Sequence, residues 1–149
     1  MEIAPFVTRS VLTVDHDDSL RDAAVAMMER GVGSAVVLTD GAASGVITDR
    51  EALRAIAQER DPSSFSVSSF VTGRLTTVEP TLGILEAGRL MRERGFRHLV
   101  VVDETGDLMG VFSMRDLVVG LLEERRELLA KASAGVPVPL DSDGIQAPG

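Results

Sequence analysis

Apolar positions along this chain follow two alternating rhythms. Leu20, Ala23, Ala24 and Met27 recur at the spacing of one helical face, behind a polar start at Asp17, Asp18 and Ser19 and ahead of a stop at Gly31. The runs AVVL (35–38) and LVVV (99–102) are short, continuous and rich in β-branched residues, which predicts strands buried on both faces. Ile84, Ala87, Gly88 and Met91 repeat the helical stripe, and Gly95 repeats the stop. Each pattern therefore occurs twice.

The recurrence is a duplication in register. Sliding the chain by 64 positions sets Phe6-Val7-Thr8 on Phe70-Val71-Thr72, Thr13-Val14 on Thr77-Val78, and Glu29-Arg30-Gly31 on Glu93-Arg94-Gly95. One extra residue in a later loop then moves the offset to 65, so that Gly45 meets Gly110 and Arg50 meets Arg115. Two copies are too few for a solenoid, so a pseudo-symmetric pair is expected. Each copy predicts an irregular or helical opening turn, a brief strand (12–14 or 76–78) and a helix. A buried strand, a tight turn at Gly41 or Gly106, a second strand and a closing helix (51–59, or 116 to about 132) follow. The fold class is α+β, two pseudo-symmetric β-α-β-β-α repeats over 1–62 and 63–134. The second carries a long C-terminal helix, and a disordered tail is expected over 135–149, where periodicity gives way to Gly, Pro, Asp and Ser. Leu117, Val118, Leu121, Leu122, Leu128 and Leu129 give that last helix more apolar surface than one small unit covers, so it should pack on its partner repeat or on a second chain.

The candidate chemistry sits where the last strand of each copy meets its helix, in GVITDRE (45–51) and GVFSMRD (110–116). Thr48 or Ser113 occupies the helix N-cap, beside free N–H groups and the positive end of the helix dipole, which suits a phosphate. Arg50 or Arg115 adds a fixed positive charge, and Glu51 or Asp116, one turn in, can accept hydrogen bonds from a pair of sugar hydroxyls. Phosphate and ribose together mean a nucleotide. The same letters also spell a capping box, in which the two side chains satisfy orphan N–H groups and bind nothing. That alternative fits Thr48 with Glu51 to the letter and Ser113 with Asp116 less closely, so both readings stand and the second motif leans further towards a ligand.

Composition narrows the partners. A net charge of −8 and a pI near 4.7 disfavour nucleic acid, which calls for clustered Lys and Arg. No apolar run approaches a membrane span, and no basic region precedes a greasy segment at the N-terminus, which predicts a soluble cytoplasmic protein with no membrane insertion. Absence of Cys removes thiolate chemistry and Cys-based zinc sites. Few aromatics with abundant Ala, Arg and Val suggest a GC-rich bacterial source. No phosphate-binding Walker loop, G-x-G-x-x-G, G-x-S-x-G elbow or Cys nucleophile occurs, so no enzyme is expected. His16, in an acidic run, is read as a solvated turn residue. His98 is read either as strand-edge packing or as a partly protonated anion ligand. Two separated histidines without a clustered carboxylate partner predict no metal site.

Two units of this size, each ending in G-h-h-T/S-x-x-D/E, with ERGFRHLVVVD (93–103) before the second motif, resemble a tandem pair of CBS domains, often called a Bateman module. The resemblance covers the chain except its tail. It implies a disc whose two sheets pack face to face, leaving two clefts for adenosine nucleotides, and a homodimer. It implies a regulatory role in which AMP, ADP, ATP or S-adenosylmethionine is a regulatory ligand and no cofactor is required. The signal would be passed in trans to an unknown target enzyme or transporter, the alternative being a ligand-free dimerisation and docking module. Carried over by position, Asp116 would hold the ribose and Ser113 with Arg115 the phosphates of one cleft. Thr48, Arg50 and Glu51 would play those parts in the other, and Arg97 and His98 would add positive charge. The adenine slot would be Val11, Val14, Val46 and Ile47, or Leu75, Val78, Val111 and Phe112. Glu51 in place of the usual Asp, Asp49 opposite Met114, and Gly33-Ser34 at the positions of Arg97-His98 make the clefts unequal, with the Ser113/Asp116 cleft expected to be the better site.

Overall fold

The computed structural model describes residues 1–71 and 75–135. The tail expected over 135–149 lies outside the described residues from 136 onward. Two three-stranded sheets carry the fold. The first joins β1 (Thr13–Asp15), β2 (Ser34–Thr39) and β3 (Ala42–Thr48), with α1 (Leu20–Arg30) and α2 (Asp49–Ala57) between and after them. The second joins β4 (Thr77–Val78), β5 (His98–Val102) and β6 (Leu108–Ser113), with α3 (Ile84–Arg94) and α4 (Met114–Ser133). In each sheet the central strand pairs parallel to the first and antiparallel to the third, the predicted β-α-β-β-α order twice.

Local chemistry accounts for the element ends. The Ser19 hydroxyl accepts the Asp22 N–H at 3.0 Å and caps α1, while Gly31 and Gly95 end α1 and α3 in the left-handed region at φ 64° and 68°. The two hairpins turn differently. Asp40 and Gly41, both at positive φ, form the tight first turn. The second is a longer loop in which Asp103 gathers the N–H groups of Thr105 and Asp107, each at 2.9 Å.

Three clusters fill the interior. One lies between the first sheet and its helices, with Leu20, Met27, Val37 and Ile47; a second lies between the second sheet and its helices, with Ile84, Met91, Leu99 and Phe112. The third joins Val36, Val100 and Val111 with Val11, Val46 and Leu75, and packs the two sheets face to face.

The opening segments are exchanged between the repeats. Ile3, in the chain's first turn, is buried in the second core, and its N–H donates to Leu82 O at 2.9 Å. Thr8 exchanges both backbone hydrogen bonds with Val111, each at 2.9 Å. Reciprocally, Val67 and Phe70 are buried in the first core, with the Leu20 N–H donating to Phe65 O and the Val67 N–H to Asp18 O. Each segment crosses a glycine beside a β-bulge, at Gly45 opposite Val37 and at Gly110 opposite Val101.

Helix α4 continues well past the length of α2. Leu117 is buried in the second core, while Val118, Val119 and Leu122 remain exposed, as do Leu53 and Ile56 on α2. Among the described residues no helix is long and apolar enough to cross a membrane.

Candidate functional site

Both motif helices begin with a carboxylate folded back onto the N-cap. Asp116 Oδ2 accepts the Ser113 N–H at 2.8 Å and the Ser113 hydroxyl at 2.9 Å, and the Asp116 N–H donates to Ser113 Oγ at 3.2 Å. Glu51 Oε2 accepts the Thr48 N–H at 2.7 Å and the Thr48 hydroxyl as well. Both motifs are thus capping boxes. In each carboxylate a single oxygen does this work. Among the hydrogen bonds of the described residues, none reaches Asp116 Oδ1 or Glu51 Oε1. Cap and ligand acceptor are therefore compatible roles, and the sequence alternatives do not exclude each other.

Each motif borders a cleft between the repeats. The first, of about 520 Å³, brings Ser113, Arg115 and Asp116 together with Thr8, His98, Val11, Val46 and Val111. The second, of about 560 Å³, brings together Thr48, Asp49, Arg50, Glu51, Arg97 and His98. Both volumes lie within the range of about 300–1,000 Å³ usual for small-molecule sites.

The predicted site residues divide between these clefts, which fixes a placement that the sequence left open. Arg97 borders the Thr48/Glu51 cleft and is absent from the lining of the other, whereas His98 borders both. The second cleft accordingly sets two arginines against Asp49 and Glu51, and the first sets Arg115 against Asp116. The predicted apolar slot also divides. Val14, Ile47, Val78 and Phe112 face the helices in the two outer cores, because neighbours on a strand point to opposite faces. Val11, Val46, Leu75 and Val111 face the space between the sheets. Thr8 was not among the predicted residues. Its hydroxyl lies 3.5 Å from Asp116 Oδ2, and the signal that marks it is its repetition at Thr72.

His98 opens β5, paired with Ser113, and is half-buried. Burial, and next the adjacent Arg97 charge, hold its imidazole below the ordinary histidine value of 6.5, against the opposing pull of Asp116 and Asp49. Of the two readings of His98, this favours a mostly neutral ring near neutral pH over a partly protonated one. The sign for stability follows. Between the depressed value and 6.5 the unfolded chain holds more protons than the folded one, so stability rises with pH across that window and is level above it. Thermal melts from about pH 5 to pH 7.5 should show a rising midpoint that flattens in His98→Gln, while an unchanged slope in that variant would assign the effect elsewhere.

His16 is not the solvated turn residue expected. It is half-buried, its N–H donates to Leu38 O, its carbonyl accepts from Ser68, and its ring nitrogens lie 3.2 Å from Asp15 and 3.3 Å from Asp17. The carboxylate partners thought to be missing are therefore present. Asp15 Oδ1 also accepts the Asp17 N–H at 2.9 Å, while the buried His16 Nδ1 makes no hydrogen bond among the described residues, and the three side chains lie close enough together to ligate a metal ion.

Comparison with known proteins agrees with this architecture. The family model for the CBS domain matches twice, at residues 2–58 and 67–123. The chain is 36% identical over 124 residues to the mitochondrial CBS domain-containing protein CBSX3 of Arabidopsis thaliana, a match covering 79% of this chain and 60% of that protein. The chain thus spans less than two thirds of that relative. Among solved structures, a putative signal-transduction protein with CBS domains from Burkholderia ambifaria superposes with a TM-score of 0.75 at 31% identity, covering 83% of this chain and 95% of that one. The CBS domain protein PAE2072 from Pyrobaculum aerophilum, solved in complex with AMP, superposes with a TM-score of 0.70 at 28% identity, covering 78% and 89%. Two matched domains, two facing sheets and a cleft at each terminal motif make one conclusion: the chain belongs to the CBS domain family and carries a tandem pair of these domains.

Proposed function

We propose that this protein is a regulatory module that senses an adenosine nucleotide in the cleft of Ser113, Arg115 and Asp116. The observation that carries the reading is the second oxygen of Asp116, which has no hydrogen bond among the described residues and borders a cleft of nucleotide size that also contains Arg115 and half-buried apolar side chains. Asp116 would accept the two ribose hydroxyls, Ser113 and Arg115 would meet the phosphate, and the base would lie against Val11, Val46 and Val111. AMP is favoured there, because this cleft offers one arginine and a single phosphate suffices to neutralise it. The cleft of Thr48, Arg50 and Glu51 adds Arg97 and suits a longer phosphate chain. The AMP complex of the Pyrobaculum relative supports the ligand class. The exposed Leu53, Ile56, Val118 and Leu122 suit contact with a second copy, and the signal would pass to a partner in trans rather than through catalysis.

Calorimetric titration with AMP, ADP, ATP and S-adenosylmethionine tests this. Loss of two charge-assisted hydrogen bonds in Asp116→Ala should weaken AMP by at least about a hundredfold. Asp116→Asn, which keeps a capping acceptor, separates that loss from any loss of the helix cap. Affinity unchanged in both variants would move the ligand to the Thr48/Glu51 cleft. A folded protein that gives no heat with any of the four would leave the docking module as the function.

A further inference from the structure

The two clefts share a partition. Gly33, Ser34, Val46 and His98 border both, and His98 is the one titratable group among them. Its imidazole is within electrostatic reach of Asp116, which borders the first cleft, and of Asp49, which borders the second, with Arg97 immediately before it in the chain. Arg115 completes the charged set of the first cleft, Arg50 and Glu51 that of the second, and β2 and β3 contribute only the uncharged Ser34 and Val46 to the partition. At rest the ring is neutral, for the reasons given above.

An anion entering either cleft favours the imidazolium. Two ligands that each favour the same protonated state help one another, since the unfavourable charging of the ring is met by the first and inherited by the second. Mutual repulsion of the phosphates opposes this, but it persists at any pH at which both are charged, whereas the help exists only where the ring starts neutral. We propose that the two clefts share one proton at His98, so that phosphate-bearing ligands fill them with positive cooperativity above the titration range of that ring. The proton comes from the buffer, with uptake of at most one per chain rather than one per nucleotide.

The inference rests on the nucleotide reading, and the test keeps the two apart. Calorimetry at pH 7.5 in two buffers of different ionisation enthalpy measures proton uptake, with AMP, adenosine and pyrophosphate as probes. Side-chain NMR of the two histidines follows the ring itself, His98→Gln giving the assignment and correcting for protonation of the phosphate. The expected result is uptake concentrated in the first equivalent of AMP and, for each cleft, an affinity about fivefold higher when the other is filled than when it is empty. The cooperativity should fall as the pH is lowered through the titration of the His98 ring, followed in the same samples by NMR, and vanish in His98→Gln, and adenosine should show no uptake. Saturation at one AMP per chain, equal uptake with each equivalent, or cooperativity that survives in His98→Gln would overturn it. Should AMP give no heat while pyrophosphate still draws a proton through His98 cooperatively, the shared proton stands and the nucleotide reading falls; if neither binds, both fall.

Discussion

Gly110→Ala is expected to lower the thermal midpoint by about 10 °C, corresponding to about 3 kcal/mol for a chain of this length. A Cβ at this position would fall inside contact distance of the Thr8 carbonyl oxygen and 2.7 Å from Val7 Cγ1. The first obstacle is backbone, and it belongs to the segment that exchanges hydrogen bonds with Val111, so relief means parting that pair. The corresponding Gly45→Ala meets Cγ1 of Val71, a side-chain methyl that can turn aside, and should cost half as much or less. Gly110→Ala should also weaken AMP, because Thr8 borders the cleft and approaches Asp116. Melting and titration of the two variants side by side provide the check. A Gly110→Ala protein as stable as Gly45→Ala would show that the crossing segment yields freely and contributes little.

Phe112→Ala should be more damaging still. Phe112 is fully buried, and the cluster around it includes Ile3, Met91, Leu99 and Leu117. Removing an enclosed ring costs about 3–5 kcal/mol, a large part of the roughly 5–15 kcal/mol that holds a domain folded. Urea unfolding should show the midpoint falling steeply with little change in slope. Val119→Ala, at a position 50% exposed on the same helix as Leu117, should stay within about 0.5 kcal/mol. If the two substitutions cost alike, the second cluster is not the closed core described here.

What was legible in the sequence is what short-range chemistry decides. The helical stripes, the stops at Gly31 and Gly95, the strands at 35–38 and 99–102 and the N-cap motifs all depend on spacings of a few residues, and the structure has them. The relation between Gly45 and Gly110 came from the repeat itself. Three things were not legible. Val46 and Ile47 look alike in a strand covered on both faces, where no polar alternation marks which side faces the helices. Arg97 and His98 are adjacent in sequence, yet only the second borders both clefts. The exchange of opening segments is invisible to an internal alignment, because Phe6-Val7-Thr8 and Phe70-Val71-Thr72 match so well that each reads as part of its own copy.

That exchange bears on how the molecule comes into being. On a ribosome the first core lacks its closing residues until Val67 and Phe70 have been made, so the earlier helices and strands wait for chain that belongs, by alignment, to the next copy. Ile3, Phe6 and Val7 wait longer, since the cluster that receives them includes Leu99 and Phe112. These apolar residues are made long before their partners, and through that interval they are exposed to chaperones, to proteases and to other nascent chains.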